Sequence, residues 1–210
     1  MNWIEDYAPK GGVAVDVGAN EGSYTKRMLP AVGPTGRVIA IEPHTPVLAQ
    51  LKKTGATVIH AAVADKPGTL TLYHSRQSVH SSLWPENVLE AAGDEPVRVV
   101  TLDELQASGE IPAKVDLIKV DAQGAEAAIM RGAAALIASQ QAVWYVELWP
   151  SGLLHAGETV MGVLGPFQAA GYQPHRGTWA SVYRDAERQV GHGSTDVLLL
   201  PERMTKHVVA

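Results

Sequence analysis

The 210-residue chain has no cysteine, so a disulfide framework and a Cys-based zinc site are both excluded. That absence fits a reducing compartment. No run of Lys or Arg interrupts the sequence, and 17 basic residues face 22 acidic ones. A net charge of −5 gives no electrostatic footprint for nucleic acid or an anionic membrane, so neither is expected as a partner. The opening residues carry Glu5 and Asp6 where a secretory signal needs basic residues and a long apolar core. Apolar runs such as 197–200 are too short to span a bilayer. A cytoplasmic protein is expected. Internal repeats are lacking, and nothing in the sequence sets an oligomeric state.

What is present is ordinary globular material, with 46% hydrophobic and 19% charged residues, enough for one domain over 1–210. Short β-branched or apolar runs alternate with helical segments. Residues 13–17 read as a buried strand, followed by a helix capped near Asn20 and stopped at Pro30. Residues 37–41 form a second strand, and an amphipathic helix follows through Val47, Leu48 and Leu51. Residues 57–63 read as the third strand. Then the rhythm changes: 69–73 and 97–100 are strands with no helix between them, joined by a polar, irregular segment over 74–96. Alternation resumes with a strand at 115–120, one alanine-rich helix at 125–139, and a strand at 142–146. A helix at 160–170 and a closing strand at 196–200 complete the pattern. This order predicts a doubly wound, mostly parallel α/β sheet with a short β insertion after the third strand. Ligands on such sheets bind beyond the carboxyl ends of the strands.

The loop from Asp16 to Gly22 leaves the first strand and opens a helix. Gly18 permits a tight turn and close approach of a ligand, while the helix start offers unpaired N–H groups to an anion. Asp16 adds a carboxylate for a cationic amine, so an amino-acid moiety suits the loop better than a pyrophosphate. A dinucleotide fingerprint is not met, because Asn20 stands where the middle glycine is required. A plain strand-to-helix turn without ligand remains open. Glu42 ends the second strand about twenty residues further on, where an acid accepts both hydroxyls of a ribose. A surface acid is the alternative. Together the two features describe a nucleoside with a zwitterionic tail, which is S-adenosylmethionine.

The residues Val15 to Gly22, Ile41-Glu42-Pro43, Thr101-Leu102-Asp103-Glu104-Leu105 and, most specifically, Leu117-Ile118-Lys119-Val120-Asp121-Ala122-Gln123-Gly124-Ala125-Glu126 resemble the FkbM-type family of S-adenosylmethionine-dependent O-methyltransferases. The likeness covers nearly the whole chain and extends to the third-strand exit at 62–68. It implies a Rossmann-like class I methyltransferase fold and transfer of a methyl group to a hydroxyl oxygen of a sugar or other small metabolite. The cofactor set it implies is Asp16, Gly18, Asn20, Gly22, Ser23, Tyr24, Glu42, Pro43 and Asp121, with Ala64 and Asp65 near the adenine. His80, Ser81, Ser82 and Trp84, in a segment 74–96 that covers the acceptor, and Glu147 at its rim are the expected acceptor contacts.

For the chemistry, Asp121, Lys119 and Glu147 are the candidates. Lys119 and Asp121 point to the same side of a strand, and a lysine there needs a carboxylate partner. Lys119 is therefore either catalytic or half of a structural ion pair. Asp121 could bind the cofactor amine, orient the acceptor or take its proton. Glu147 could line the acceptor site, pair with Lys119 or be a surface acid. Asp121, Glu147 and Asp103 could form an oxygen-ligand metal site if the fold gathers them, but no compact ligand spacing is present and no required metal is expected. A nicotinamide-dependent oxidoreductase and a non-catalytic cofactor-binding domain of the same fold stand as alternatives.

Overall fold

The computed structural model describes residues 3–76, 81–88, 90–191 and 193–205. A seven-stranded sheet forms its centre. Strands β1 (Val13–Val17), β2 (Arg37–Ile41) and β3 (Thr57–Ile59) lie on one side, and β7 (Leu117–Val120) and β8 (Val143–Leu148) continue it on the other. All of these pairings are parallel. The far edge is made by β10 (Thr195–Leu200), antiparallel to β8, and by the two-residue β9 (Gln173–Pro174). The spatial order β3-β2-β1-β7-β8-β10-β9 reverses between β1 and β7, and that switch point is where an open α/β sheet holds its ligand.

The central strands are apolar throughout because helices cover both faces. One cluster, including Val15, Ile39, Ile118, Trp144, Leu148 and Phe167, fills one side. On the other side, Met28, Ala31 and Val32 of α2 (Ser23–Val32) pack with Trp3 and Ile4 of α1 (Trp3–Tyr7). Trp3 stacks on Tyr145 at 4.0 Å between ring centroids.

Several element boundaries differ from expectation. Helix α2 is capped by Gly22 in the left-handed region (φ 86°), two residues after Asn20, and it runs past Pro30 to Val32. The proline removes one ladder bond, but burial of Ala31 and Val32 keeps the last turn in place. The helix expected over 125–139 is two, α5 (Glu126–Arg131) and α6 (Ala134–Ala138). Between them Gly132 passes so close to the Ala64 carbonyl that a Cβ would sit 2.1 Å from its oxygen. Asp103 then accepts the backbone N–H groups of Ala135 and Leu136 at the start of α6.

The third strand also divides. Its first half is β3, and its second, β4 (Ala62–Val63), leaves to pair with β6 (Ala91–Val100) in a separate three-stranded sheet, β4-β6-β5. Strand β5 (Gly68–Ser75) and β6 form a long antiparallel ribbon, so much of the segment expected to be irregular is regular. Pro96 fits within β6 because β4 pairs only with Val99 and Val100, leaving Pro96 a single strand neighbour. Among the described residues, no helix is long and apolar enough to cross a membrane.

Candidate functional site

A cavity of about 490 Å³ opens at the carboxyl ends of β1, β2 and β7. Its walls come from the loop after β1 (Gly18 to Glu21), the end of β2 (Ile41 to Pro43), residues 61–63, Leu72 of β5, and Lys119 with the loop 121–125. Ser81, Ser82 and Leu83 close it from the ribbon side.

The glycine loop is shaped by its backbone. Gly18 has φ 70°, and a Cβ there would lie 1.8 Å from the Asp121 carbonyl oxygen, so only glycine allows β1 and β7 to end side by side. Asn20 takes φ 48°, the left-handed conformation that asparagine tolerates better than most residues.

Glu42 is 6% exposed and fixed at both oxygens. The Asn20 N–H donates to Oε2 at 2.7 Å and the His44 N–H to Oε1 at 2.8 Å. Burial dominates its protonation and pushes the carboxyl up to about 7, opposed by the two N–H donors. Pro43, Ser23 and Tyr24 line the same cavity.

Lys119 is the electrostatic centre. Its ammonium lies 3.3 Å from Asp16 Oδ1 and 3.4 Å from Asp121 Oδ2, and donates to the Gly18 carbonyl at 2.9 Å. It also sits 5.1 Å from the centre of the Tyr24 ring. The two carboxylates outweigh the desolvation of a fully buried amine, so its pKa is raised and it stays charged. Asp16 is completely buried, accepts the Thr25 hydroxyl at 2.6 Å, and does not line the cavity. The charge expected to face an amine at Asp16 is already spent on Lys119. Gly22, the cap of α2, also lies outside the cavity lining.

Asp121 does line the cavity, with Gln123 Nε2 donating to its Oδ1 at 3.0 Å. It also lies near enough to Glu147 for the two carboxyl groups to shift each other's protonation. Asp121 suffers desolvation, but Lys119 and its other partners hold it below the usual carboxylate range. Burial and the Asp121 charge push Glu147 up to about 8, so the pair shares one proton at neutral pH. Ser194 donates to Glu147 Oε1 at 2.6 Å.

The remaining expectations divide. Ser81 and Ser82 reach the cavity, yet the Ser82 hydroxyl is committed to the Gln123 carbonyl at 2.8 Å. Asn87 Nδ2 donates to the same carbonyl at 3.0 Å and to that of Gly152 at 3.2 Å. Trp84 packs half-buried against the main core and is not part of the cavity wall. His80 lies outside the described residues. Ala64 and Asp65 are displaced from the cavity by the split of the third strand: Ala61, Ala62 and Val63 line it, while Asp65 pairs with Arg131 at 3.3 Å. Asp103, capping α6, is not gathered with Asp121 and Glu147. Glu126, in the most family-specific block, folds the loop rather than lining the cavity, accepting N–H groups of Ala122 at 3.0 Å and Gly124 at 3.0 Å. Gln123 and Thr25 are not singled out by the sequence; Gln123 stands two residues after Asp121, which was an available signal, whereas Thr25 meets Asp16 only through the fold.

A family model, "Methyltransferase FkbM domain", matches residues 16–173. No curated protein is significantly similar in sequence. Among solved structures, the methyltransferase FkbM of Methylobacillus flagellatus KT is similar at 16% identity and a TM-score of 0.57, over 91% of this chain. This chain spans 44% of that protein's length. A candidate rRNA-methylase from Clostridium thermocellum is similar at 12% identity and TM-score 0.54, over 95% of this chain and 93% of the other. At these identities the likeness shows the α/β fold. The family match sets aside the nicotinamide-dependent oxidoreductase alternative.

Proposed function

Because the chain belongs to the FkbM methyltransferase family, we propose that it binds S-adenosylmethionine at the β1/β2/β7 cavity and transfers the methyl group to a hydroxyl of a small metabolite or sugar. The observation that carries this reading is the presence, in one cavity, of a buried carboxylate at Glu42 and a second carboxylate at Asp121. The cavity residues fit the cofactor's two ends. Glu42 accepts the ribose hydroxyls, the apolar wall at 61–63 takes the adenine, and the loop at 18–20 receives the amino-acid tail. When bound, the cofactor supplies an activated methyl group on a sulfonium.

The chain's own residues position and deprotonate the acceptor. Ser81, Gln123 and the segment around Leu83 border the acceptor end. Asp121, held in place by Lys119 and Gln123, orients the hydroxyl. Asp121 alone is a poor base because Lys119 favours its ionised form. The Asp121–Glu147 pair becomes an effective base once its shared proton is lost, near pH 8. Alignment for in-line transfer supplies the rest of the rate.

Calorimetric titration with S-adenosylmethionine, S-adenosylhomocysteine and NADH tests the cofactor assignment. Micromolar binding of the first two and none of NADH is expected. Saturable binding of NADH alone would overturn the assignment. A screen of hydroxylated acceptors, read as S-adenosylhomocysteine formed, tests the oxygen assignment, and turnover only with amine acceptors would refute it.

A further inference from the structure

Beside the cavity, three side chains from three different segments converge. His44 lies in the loop between β2 and α3 (Thr45–Lys52), His74 on β5 and Glu95 on β6. One ligand-competent atom of each lies within 4.8 Å of the other two, the single such trio among the described residues. His74 Nε2 is 3.1 Å from Glu95 Oε1, and the two imidazole ring centres are 4.5 Å apart.

The convergence is built into the ladder. Glu95 stands opposite Leu72 across the ribbon, and His74 follows two residues later, so all three side chains share one face. The Glu95 carboxylate is clamped by Thr45, whose N–H donates to Oε1 at 2.9 Å and whose hydroxyl donates to Oε2 at 2.6 Å. Glu95 is therefore aimed before any ligand arrives. His44 provides an independent observation. It is 94% buried by its 6% exposure, and its Nδ1 is sealed from solvent without a hydrogen-bond partner. A buried ring nitrogen left unsatisfied needs a ligand or a reason.

We propose that His44, His74 and Glu95 bind a divalent transition metal of the zinc class. Two imidazoles and one carboxylate make the N2O donor set that zinc accepts, with a fourth position for water. Magnesium and calcium require mostly oxygen ligands and are disfavoured here. Ligands of a tetrahedral zinc sit about 3.3–3.6 Å apart, given bonds of about 2.0–2.2 Å, so the His74–Glu95 pair opens slightly while the widest separation, at most 4.8 Å, closes by about 1 Å. His74 now donates from Nε2 to Glu95; on metal binding that proton is carried on Nδ1 and Nε2 becomes the ligand. The metal would rivet the β5–β6 ribbon to the loop holding Glu42, because the His44 N–H is itself a donor to that carboxylate. It lies at the ribose end of the cavity and takes no part in proton removal at Asp121.

The test is calorimetric titration of the chelator-stripped full chain with ZnCl2, with no nucleoside present, so that its outcome is independent of the methyl-transfer reading. One equivalent should bind with micromolar or tighter affinity, and MgCl2 should give no saturable heat. His74→Ala and Glu95→Gln should each weaken zinc binding by more than the about 100-fold that loss of a supporting group costs at most. His60→Ala, which removes a neighbouring ring outside the trio, should leave it unchanged. In the wild type, zinc should shift the NMR signals of the His44 and His74 rings stoichiometrically, a readout that does not depend on a variant folding. Absence of saturable zinc binding, or zinc binding that leaves both rings unshifted, overturns the site.

Discussion

Lys119 shows how one residue organises the reacting end. Its buried ammonium bridges Asp16 beneath the cavity and Asp121 within it, and it ties the end of β7 to the Gly18 carbonyl. Asp16 thus faces Lys119 rather than the cavity, and Asp121 keeps the side that lines it. At the end of β2, Glu42→Ala should weaken S-adenosylmethionine binding by about 1–3 kcal/mol, because ribose hydroxyls lose their acceptor in a buried place. Calorimetric titration beside an unfolding curve checks this, and wild-type affinity in a folded variant removes the ribose assignment. The pair Asp121–Glu147 makes a kinetic prediction. With a shared proton lost near pH 8, kcat should rise from pH 6.5 to 9 in the wild type and lose that rise in Glu147→Gln. A flat wild-type profile would show that the pair only positions the acceptor. Glu42 and Asp121 were legible in the sequence because each ends an apolar strand, where a carboxylate has few structural excuses. The fate of Asp16 was not, since its partner is set by the register of β1 against β7, which brings Lys119 directly alongside.

At the scale of elements, the loop at 121–125 is held from two sides. Glu126 gathers its N–H groups from below, while Ser82 and Asn87 donate to the Gln123 carbonyl from the ribbon side. Asn87 also receives support from His155, whose Nδ1 is 2.7 Å from its Oδ1. Asn87→Ala removes a fully buried amide that joins three segments, and it leaves the Gly152 carbonyl without this donor. The expected cost is about 1–3 kcal/mol of stability, with kcat falling through misplacement of Gln123 and Asp121 while cofactor affinity at Glu42 holds. Loss of cofactor affinity with unchanged kcat would place the latch on the wrong end of the cavity. The strand–helix alternation was readable because buried parallel strands are short apolar runs between turn residues. Boundaries set by a distant neighbour were not readable. Gly132 breaks a helix only because the Ala64 carbonyl lies against it, and the third strand divides only because β6 captures Ala62 and Val63. Trp84, expected at the acceptor, is taken by the core for the same reason: a large ring at a loop gives no local sign of which side it will face.

For the molecule as a whole, the acids that build the site also set the pH dependence of its stability. Burial pushes Glu42 and Glu126 up to about 7 and Glu147 up to about 8, from an ordinary value of 4.5. A raised carboxyl pKa means that the folded state binds the proton more tightly than the unfolded chain does. The stability contributed is complete below pH 4.5 and drains away as pH climbs through 7 and 8. Other shifted groups act outside the window from pH 6.5 to 8.5. Asp121 and Glu95 are held below their ordinary range, so their contribution is present throughout and is lost only in acid. His44 and His175 are held below 6.5, so they penalise the folded state only below that pH. The raised tyrosines Tyr7, Tyr145, Tyr172 and Tyr183 matter only above pH 10, and Lys119 stays charged. Within the window the carboxyls therefore decide the slope. The melting temperature of the ligand-free protein should fall by about 5 °C from pH 6.5 to 8.5 at constant ionic strength. Glu147→Gln should remove the larger part of that fall, because its counterpart in the native protein titrates highest. A melting temperature that stays level or rises across the window would mean that these carboxyls ionise near their ordinary values in the folded chain, and that Glu147 holds no proton to give up as the pair becomes a base.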